Sequence, residues 1–353
     1  MNWINANARR FGILRLVLLP LCLCGLLAVT QDEELFELVK VKDGIYAAVA
    51  KPQYKLNCNA AVIINEDDVL IVDSHSKPSA AKALLKQIRK ITQNPVRYVV
   101  NTHFHYDHAR GNQAYFSGFP HEVTLISSEQ TRKDLIGIEA SRLKQEVADL
   151  PGIIAKLEQD FERESDSKRK QELADTLVQA RTYQQELKSV ELVLPGVTFD
   201  RSMILHKKNR EIVLLFLGRG HTGGDIVVYL PREKVLATGD LVTAWVPGMN
   251  DGYPNEWIAT LGEVSKLSIE RVIVGHGAVS GKRVIDVQQK FLNEFISAVK
   301  VEVRKGSALE EAQKSVVAQL APKYASEFPP QDLERRIGGN VPKVYTDVKA
   351  GQY

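Results

Sequence analysis

From about residue 38 onward the chain alternates between two hydrophobic rhythms. Short apolar runs bounded by Gly, Asn and acidic residues come first: "GIYAAVA", "NAAVIIN" and "DVLIVD", all before residue 74. They read as β-strands. "KPSAAKALLKQIRKIT" (77–92) then has helical spacing with Pro78 near its start, and "VRYVVNTH" is a strand again. Strand, helix, strand, with polar residues at the last strand's C-terminal end, is the order in which α/β folds place their sites. Residues 128–190 break this rhythm. They are highly charged, with Leu143, Val147, Leu150, Ile154, Leu157 and Phe161 at steps of four and three, and Leu173, Leu177, Ala180, Tyr183 and Leu187 repeating the pattern. "ESDSKRK" between them reads as a turn, so the spacing predicts an inserted antiparallel helical hairpin with a solvated outer face, in which Pro151 starts or kinks a helix. β character returns in "SMILHKK", "EIVLLFLG", "DIVVYLP", "KVLATGD" and, after a helix at 255–266, "RVIVGHG". Residues 284–320 read as helical, and the last thirty as a tail punctuated by Pro and Gly.

The polar residues that interrupt these runs are not scattered. "THFHYDHARGN" places His103, His105, Asp107 and His108 within six positions of a chain that has eight histidines. Other strands stop at Asp73, at His221 in "GRGHTGGD", at Asp240 in "ATGDLV" and at His276 in "VGHGAV", usually beside glycine. Glycine there lets the backbone turn sharply and come close to a neighbour. Imidazoles and carboxylates are the ligands divalent zinc favours. His103 and His105, two apart on an extended segment, point the same way, and Asp107 and His108 follow once the chain has turned. His75 is expected at a site rim, and His121 and His206 as ordinary surface or strand residues.

The order Asp73, HxHxDH at 103–108, His221, Asp240, His276 resembles the five-motif signature of the metallo-β-lactamase superfamily, over residues 38 to 280. The resemblance implies a four-layer αββα sandwich with a dinuclear zinc site at its edge. Carried over, His103, His105 and His221 hold one zinc, Asp107, His108 and His276 the other, and Asp240 bridges them. Asp73 hydrogen-bonds the histidine loop and fixes its shape. The implied chemistry is hydrolysis by a hydroxide shared between two zinc ions, with Asp107 orienting it. Asp240 stands where family members that cleave β-lactams carry cysteine or serine. This favours ester, lactone, thioester or amide-type substrates, with β-lactams as one alternative and a mononuclear iron, sulfur dioxygenase-like oxidoreductase as another. A third alternative is a binding module that uses the hairpin as its arm. "WVPGMNDGYPNEW" follows Asp240 and is the candidate pocket loop, with Trp245 and Tyr253 expected to touch substrate.

Composition adds a compartment. Arg9, Arg10 and Arg15 precede an uncharged run from Leu16 to Val29 and a polar exit, which reads as a signal peptide over 1–30. An uncleaved anchor is the alternative. The expected organisation is therefore a signal at 1–30, a catalytic domain at 31–283 and a C-terminal helical extension at 284–353, exported to the periplasm or beyond and without stable membrane insertion after cleavage. Beyond the signal the chain carries 43 basic and 43 acidic side chains. That balance speaks against a nucleic-acid partner and for a small-molecule substrate. Cys22 and Cys24 leave with the signal, so Cys58 is the single cysteine of the remaining chain and is expected as a buried, inert thiol.

Overall fold

The computed structural model describes residues 35–51, 58–116 and 122–352; the expected signal segment and His121 lie outside them. The first sheet has seven strands in chain order: β1 (Phe36–Lys42), β2 (Ile45–Ala50), β3 (Ala60–Ile64), β4 (Val69–Val72), β5 (Val96–Val100), β6 (Thr124–Ser128) and β7 (Val197–Phe199). The first four pair antiparallel, and β4 to β7 pair parallel. The second sheet runs β12 (Arg271–Val274), β11 (Val235–Gly239), β10 (Val227–Leu230), β9 (Glu211–Leu215), β8 (Ser202–His206), parallel only between β11 and β12.

Three apolar layers hold these sheets together, and each follows from the period-two alternation of the strands. The middle layer joins the sheets: Ile45, Ile63, Leu70 and Val100 of the first meet Leu214, Val228, Val235 and Ile273 of the second. The outer face of the first sheet packs Val62, Ile71 and Val99 against Ala81 and Leu84 of α1 (Pro78–Ile88). The outer face of the second packs Val227, Leu236 and Val272 against α7 (Pro254–Ser265), α8 (Arg283–Lys305), α9 (Leu309–Tyr324) and α10 (Leu333–Lys349). The result is the expected αββα order of layers. The parallel β4, β5 and the β11–β12 pair end on the same rim, where the polar motifs sit.

The short helices α2 (Tyr106–Ala109) and α3 (Gln113–Phe116) follow the histidine motif. Between β6 and β7 the chain makes α4 (Glu129–Asp134), a π-helical turn (Leu135–Glu139), α5 (Ala140–Arg163) and α6 (Ser167–Leu187). The hairpin is closed by a narrow seam of Leu150, Ile154, Leu177 and Leu187. Val147 is not part of it and is 39% exposed. α5 runs through Pro151 rather than starting there; Pro151 is on the solvent side, where water can satisfy the freed carbonyl. The stretch punctuated by Pro and Gly near the C-terminus forms α10, with Pro342 inside it; its buried face of Ile337, Val341 and Val344 holds it to the core. Among the described residues no helix is long and apolar enough to cross a membrane.

Candidate metal centre

Seven polar side chains from four separate strand ends converge on the rim. His103 Nε2 lies 3.2 Å from His105 Nδ1, which lies 2.8 Å from His221 Nε2. His108 Nε2 is 3.3 Å from Asp240 Oδ1, and His276 Nε2 is 3.0 Å from Asp240 Oδ2 and 3.4 Å from Asp107 Oδ2. Asp240 Oδ2 is also 3.5 Å from His221 Nε2, so this carboxylate reaches both groups. The possible ligand atoms fall into overlapping sets, each within 4.8 Å: His103, His105 and His221; His103, His108 and Asp240; Asp107, His108 and His276. Close backbone approach makes this possible. A Cβ on Gly275 would stand 2.1 Å from Asp240 Oδ1, and Gly239 holds a φ of +49° beside Thr102.

Four of the imidazoles spend their outer nitrogen on a hydrogen bond, which fixes which nitrogen faces inward. His108 Nδ1 donates to Asp73 at 2.8 Å and His105 Nε2 to Asp251 at 2.8 Å. His221 Nδ1 donates to the Gly248 carbonyl at 3.0 Å. Thr102 gives its hydroxyl proton to Asp73, so it accepts from His103 Nδ1 at 3.0 Å. Each inner nitrogen then presents a lone pair to another lone pair or to a carboxylate. His108 Nε2 and Asp240 Oδ1 are buried and make no hydrogen bond. Converging lone pairs with unspent buried acceptors are stable only around positive charge, so this donor set fits a divalent cation.

Electrostatics favour neutral rings at two of the imidazoles and differ at a third: burial lowers His108, but Cys58, Asp73, Asp240 and Asp107 around it outweigh burial and raise it well above the ordinary histidine range. Burial, helped by neighbouring imidazoles, holds His103 well below the ordinary histidine range and brings His221 down to about 4. Both rings stay neutral, as ligands must. Burial alone would raise Asp240, yet the facing His276 and His108 keep its carboxyl well below the usual range. Burial pushes Asp225 up to about 7, against hydrogen bonds from Thr222 N and Oγ1 that shape the loop carrying His221.

Beneath the centre, Asp73 sits at a φ of +66° and also accepts from Thr102 N at 2.8 Å, so it ties the end of β4 to the histidine loop. His75 is not at the rim. It is 1% exposed, stacked 4.3 Å from Phe36, with Nδ1 3.5 Å from Cys58 Sγ. The turn at His75, φ +69°, carries the side chain under the floor, and burial drives its pKa down to about 3. Cys58 is buried, free and donates to the Asp107 carbonyl, and burial pushes its thiol up. His206 is exposed on β8 beside Glu211.

The loop after Asp240 touches three of the histidines. Trp245 stacks on His276 at 4.4 Å, Gly248 accepts from His221, and Asp251 accepts from His105. Tyr253, by contrast, caps α7 with its ring against Arg219 and beside Gly223, not against a histidine. Two outside elements grip this loop. Arg142 of α5 holds Asp251 with bonds of 2.8 and 2.7 Å, and Asn340 of α10 accepts from Met249 N at 3.0 Å and donates to the Pro247 carbonyl at 2.8 Å. The hairpin reaches the histidine loop a second time through buried Arg110, which donates to Glu139, Glu146 and Tyr183. Sequence reasoning missed Asp251, Arg142 and Asn340. Asp251 was legible as the sole aspartate between the two tryptophans of the pocket loop, whereas Arg142 is one charge among many on a helix face.

With this geometry in hand, similarity to known proteins is informative. A family model described as the metallo-beta-lactamase superfamily matches residues 54–276. The type 2 metallo-beta-lactamase of Bacillus cereus is 35% identical over 80 residues, which is 21% of this chain and 31% of that protein. The chain thus spans about a third of the length of the Bacillus relatives it matches. The type 2 enzyme of Elizabethkingia meningoseptica is 21% identical over 288 residues, 79% of this chain and 94% of its own. Among solved structures, a metallo-beta-lactamase from Pontibacter korlensis aligns with TM-score 0.52 at 18% identity, covering 73% of this chain and 99% of that one. FIM-1 from Pseudomonas aeruginosa, in its mono-zinc form, aligns with TM-score 0.52 at 14% identity, covering 73% and 95%. At these identities the structural likeness is one of fold.

Proposed function

Because the chain belongs to the metallo-beta-lactamase superfamily, we propose that it is an exported metal-dependent hydrolase that cleaves an ester, lactone, thioester or amide-type bond in a small molecule. The observation that carries this reading is the set of four inner nitrogens of His103, His105, His108 and His221, each ring with its outer nitrogen committed, facing one another and Asp240 across 2.8 to 3.5 Å. His103, His105 and His221 would hold one zinc, and Asp107, His108 and His276 a second, with Asp240 between them. A bound zinc pair would polarise the scissile carbonyl and lower the pKa of a water toward neutrality.

The chain's own groups then have separate tasks. Asp107, 7% exposed and 3.4 Å from His276 Nε2, is placed to orient the attacking water and take its proton. Asp73, Thr102, Gly248 and Asp251 keep the imidazoles in the tautomers and orientations that present lone pairs inward. Trp245 packs its ring on His276 and holds that imidazole from one side. β-Lactam cleavage is the second reading, favoured by the names of the relatives and opposed by Asp240 at the bridging position.

Metal analysis of protein purified without added metal tests the metal. About two zinc per chain supports the reading, and a single iron supports the oxidoreductase alternative instead. A panel of a chromogenic cephalosporin, acyl-homoserine and simple lactones, thioesters and phosphodiesters then separates the substrate classes. His105→Ala and Asp240→Ala are expected to lose metal and activity together. Full activity with retained zinc in either variant would refute the assignment.

A further inference from the structure

Arg336 sits in the first turns of α10, half-buried, with its guanidinium carbon 4.0 Å from the centre of the Trp245 ring. Trp245 in turn lies nearly parallel to His276, 4.4 Å away and at 23°. A cation, an indole and a candidate metal-ligating imidazole are thus stacked in three layers at the edge of the centre. Stacking on an aromatic face uses the flat side of a guanidinium and leaves its rim of N–H donors unspent.

No acceptor takes those donors among the described residues. The acid one turn back, Asp332, is bonded by Arg335 at 3.0 Å. Asp240 acts on Arg336 only from a distance. The other arginines near the centre are all spent: Arg110 on Glu139 and Glu146, Arg142 on Asp251, and Arg219 on Glu256. A half-buried cation without a counter-charge is costly to maintain. Its position is also fixed, because Asn340, one turn further along α10, is bonded to Met249 and Pro247 of the loop that carries Trp245.

We propose that Arg336, stacked on Trp245, is a carboxylate-recognition subsite, and that the substrate is an acyl compound bearing a free carboxylate. The proposal rests on the hydrolase reading and narrows it. A planar carboxylate matches the fork of a guanidinium rim by two parallel N–H···O bonds.

The test compares 4-nitrophenyl hydrogen glutarate, which keeps a carboxylate, with 4-nitrophenyl butyrate, which does not, on the zinc-loaded protein. Arg336→Ala is expected to lower the glutarate-to-butyrate ratio of kcat/KM by roughly tenfold to a hundredfold, mostly through KM for the glutarate ester. Arg336→Lys keeps the charge but loses the fork, and is expected to retain part of the discrimination. Zinc content and melting temperature report whether either variant is folded and loaded. A ratio unchanged by Arg336→Ala overturns the subsite. If neither ester is turned over, the hydrolase reading stands or falls on the wider substrate panel, and calorimetric titration of the metal-free protein decides the subsite separately. Glutarate should bind wild type at least tenfold more tightly than Arg336→Ala, with neutral glutaramide bound by neither. Equal glutarate affinity in the two proteins overturns it.

Discussion

The helical hairpin and the C-terminal helices both hold the loop from Trp245 to Tyr253, yet they do so by different physics. The C-terminal helices are part of a core: Ile285, Phe291, Phe295, Val299, Val316 and Ile337 are at most 1% exposed and continuous with the second sheet. The hairpin has a seam of four buried side chains and otherwise solvent-facing polar residues. It reaches the centre through charge, with Arg142 on Asp251 and Arg110 on Glu139 and Glu146. Apolar burial is forgiving of small shifts and gives stability. A guanidinium on a carboxylate is directional, adds little stability at a half-exposed position, and gives orientation. One arm therefore supports the site and the other aims it.

The largest expected effect lies in the supporting arm. Phe295→Ala should destabilise the whole protein by about 4 kcal/mol, read as one cooperative transition in denaturant. Leu177→Ala in the hairpin should cost about 2 kcal/mol and appear as local opening, with amide exchange accelerating in α5 and α6 while the sheets stay protected. Equal, global loss in both variants would erase the contrast.

Acid probes the floor shared by both arms. His75 is buried neutral with a pKa of about 3 against an ordinary 6.5. The unfolded chain binds that proton first, so the contribution of neutral His75 is full above pH 6.5 and is lost as pH falls from 6.5 toward 3. The loss should amount to a few kcal/mol at most. His75→Asn, which tolerates the positive φ, should flatten this limb of the stability profile; an unchanged limb would place the titration elsewhere.

The smallest effect on stability and the most specific effect on function belong to Arg142. Its side chain is 46% exposed, so Arg142→Ala should change stability by less than about 1 kcal/mol. Because it releases Asp251, and through it His105, zinc affinity should fall roughly tenfold to a hundredfold in chelator competition, with Arg142→Lys recovering part of it. Unchanged affinity would reduce the hairpin to a surface appendage.

Much of this was legible beforehand, and for identifiable reasons. Each strand that reaches the centre is an apolar run that stops at an imidazole or carboxylate, usually beside glycine, so strands and candidate ligands were visible together. The hairpin was visible because its apolar steps of four and three persist through a charged background. Prediction failed where a single residue's backbone conformation mattered. His75 turns beneath the floor because its φ is positive.

Local pattern thus determined the inventory: which segments become strands, which become helices, and which seven side chains are candidates for chemistry. It could do so because periodicity and residue type are properties of neighbours in the chain. Partnership is a property of neighbours in space. That Asp251 serves His105, that Arg142, 109 positions away, serves Asp251, and that Arg336 lies over Trp245 were decided only when the layers packed and set those side chains within hydrogen-bonding or stacking distance.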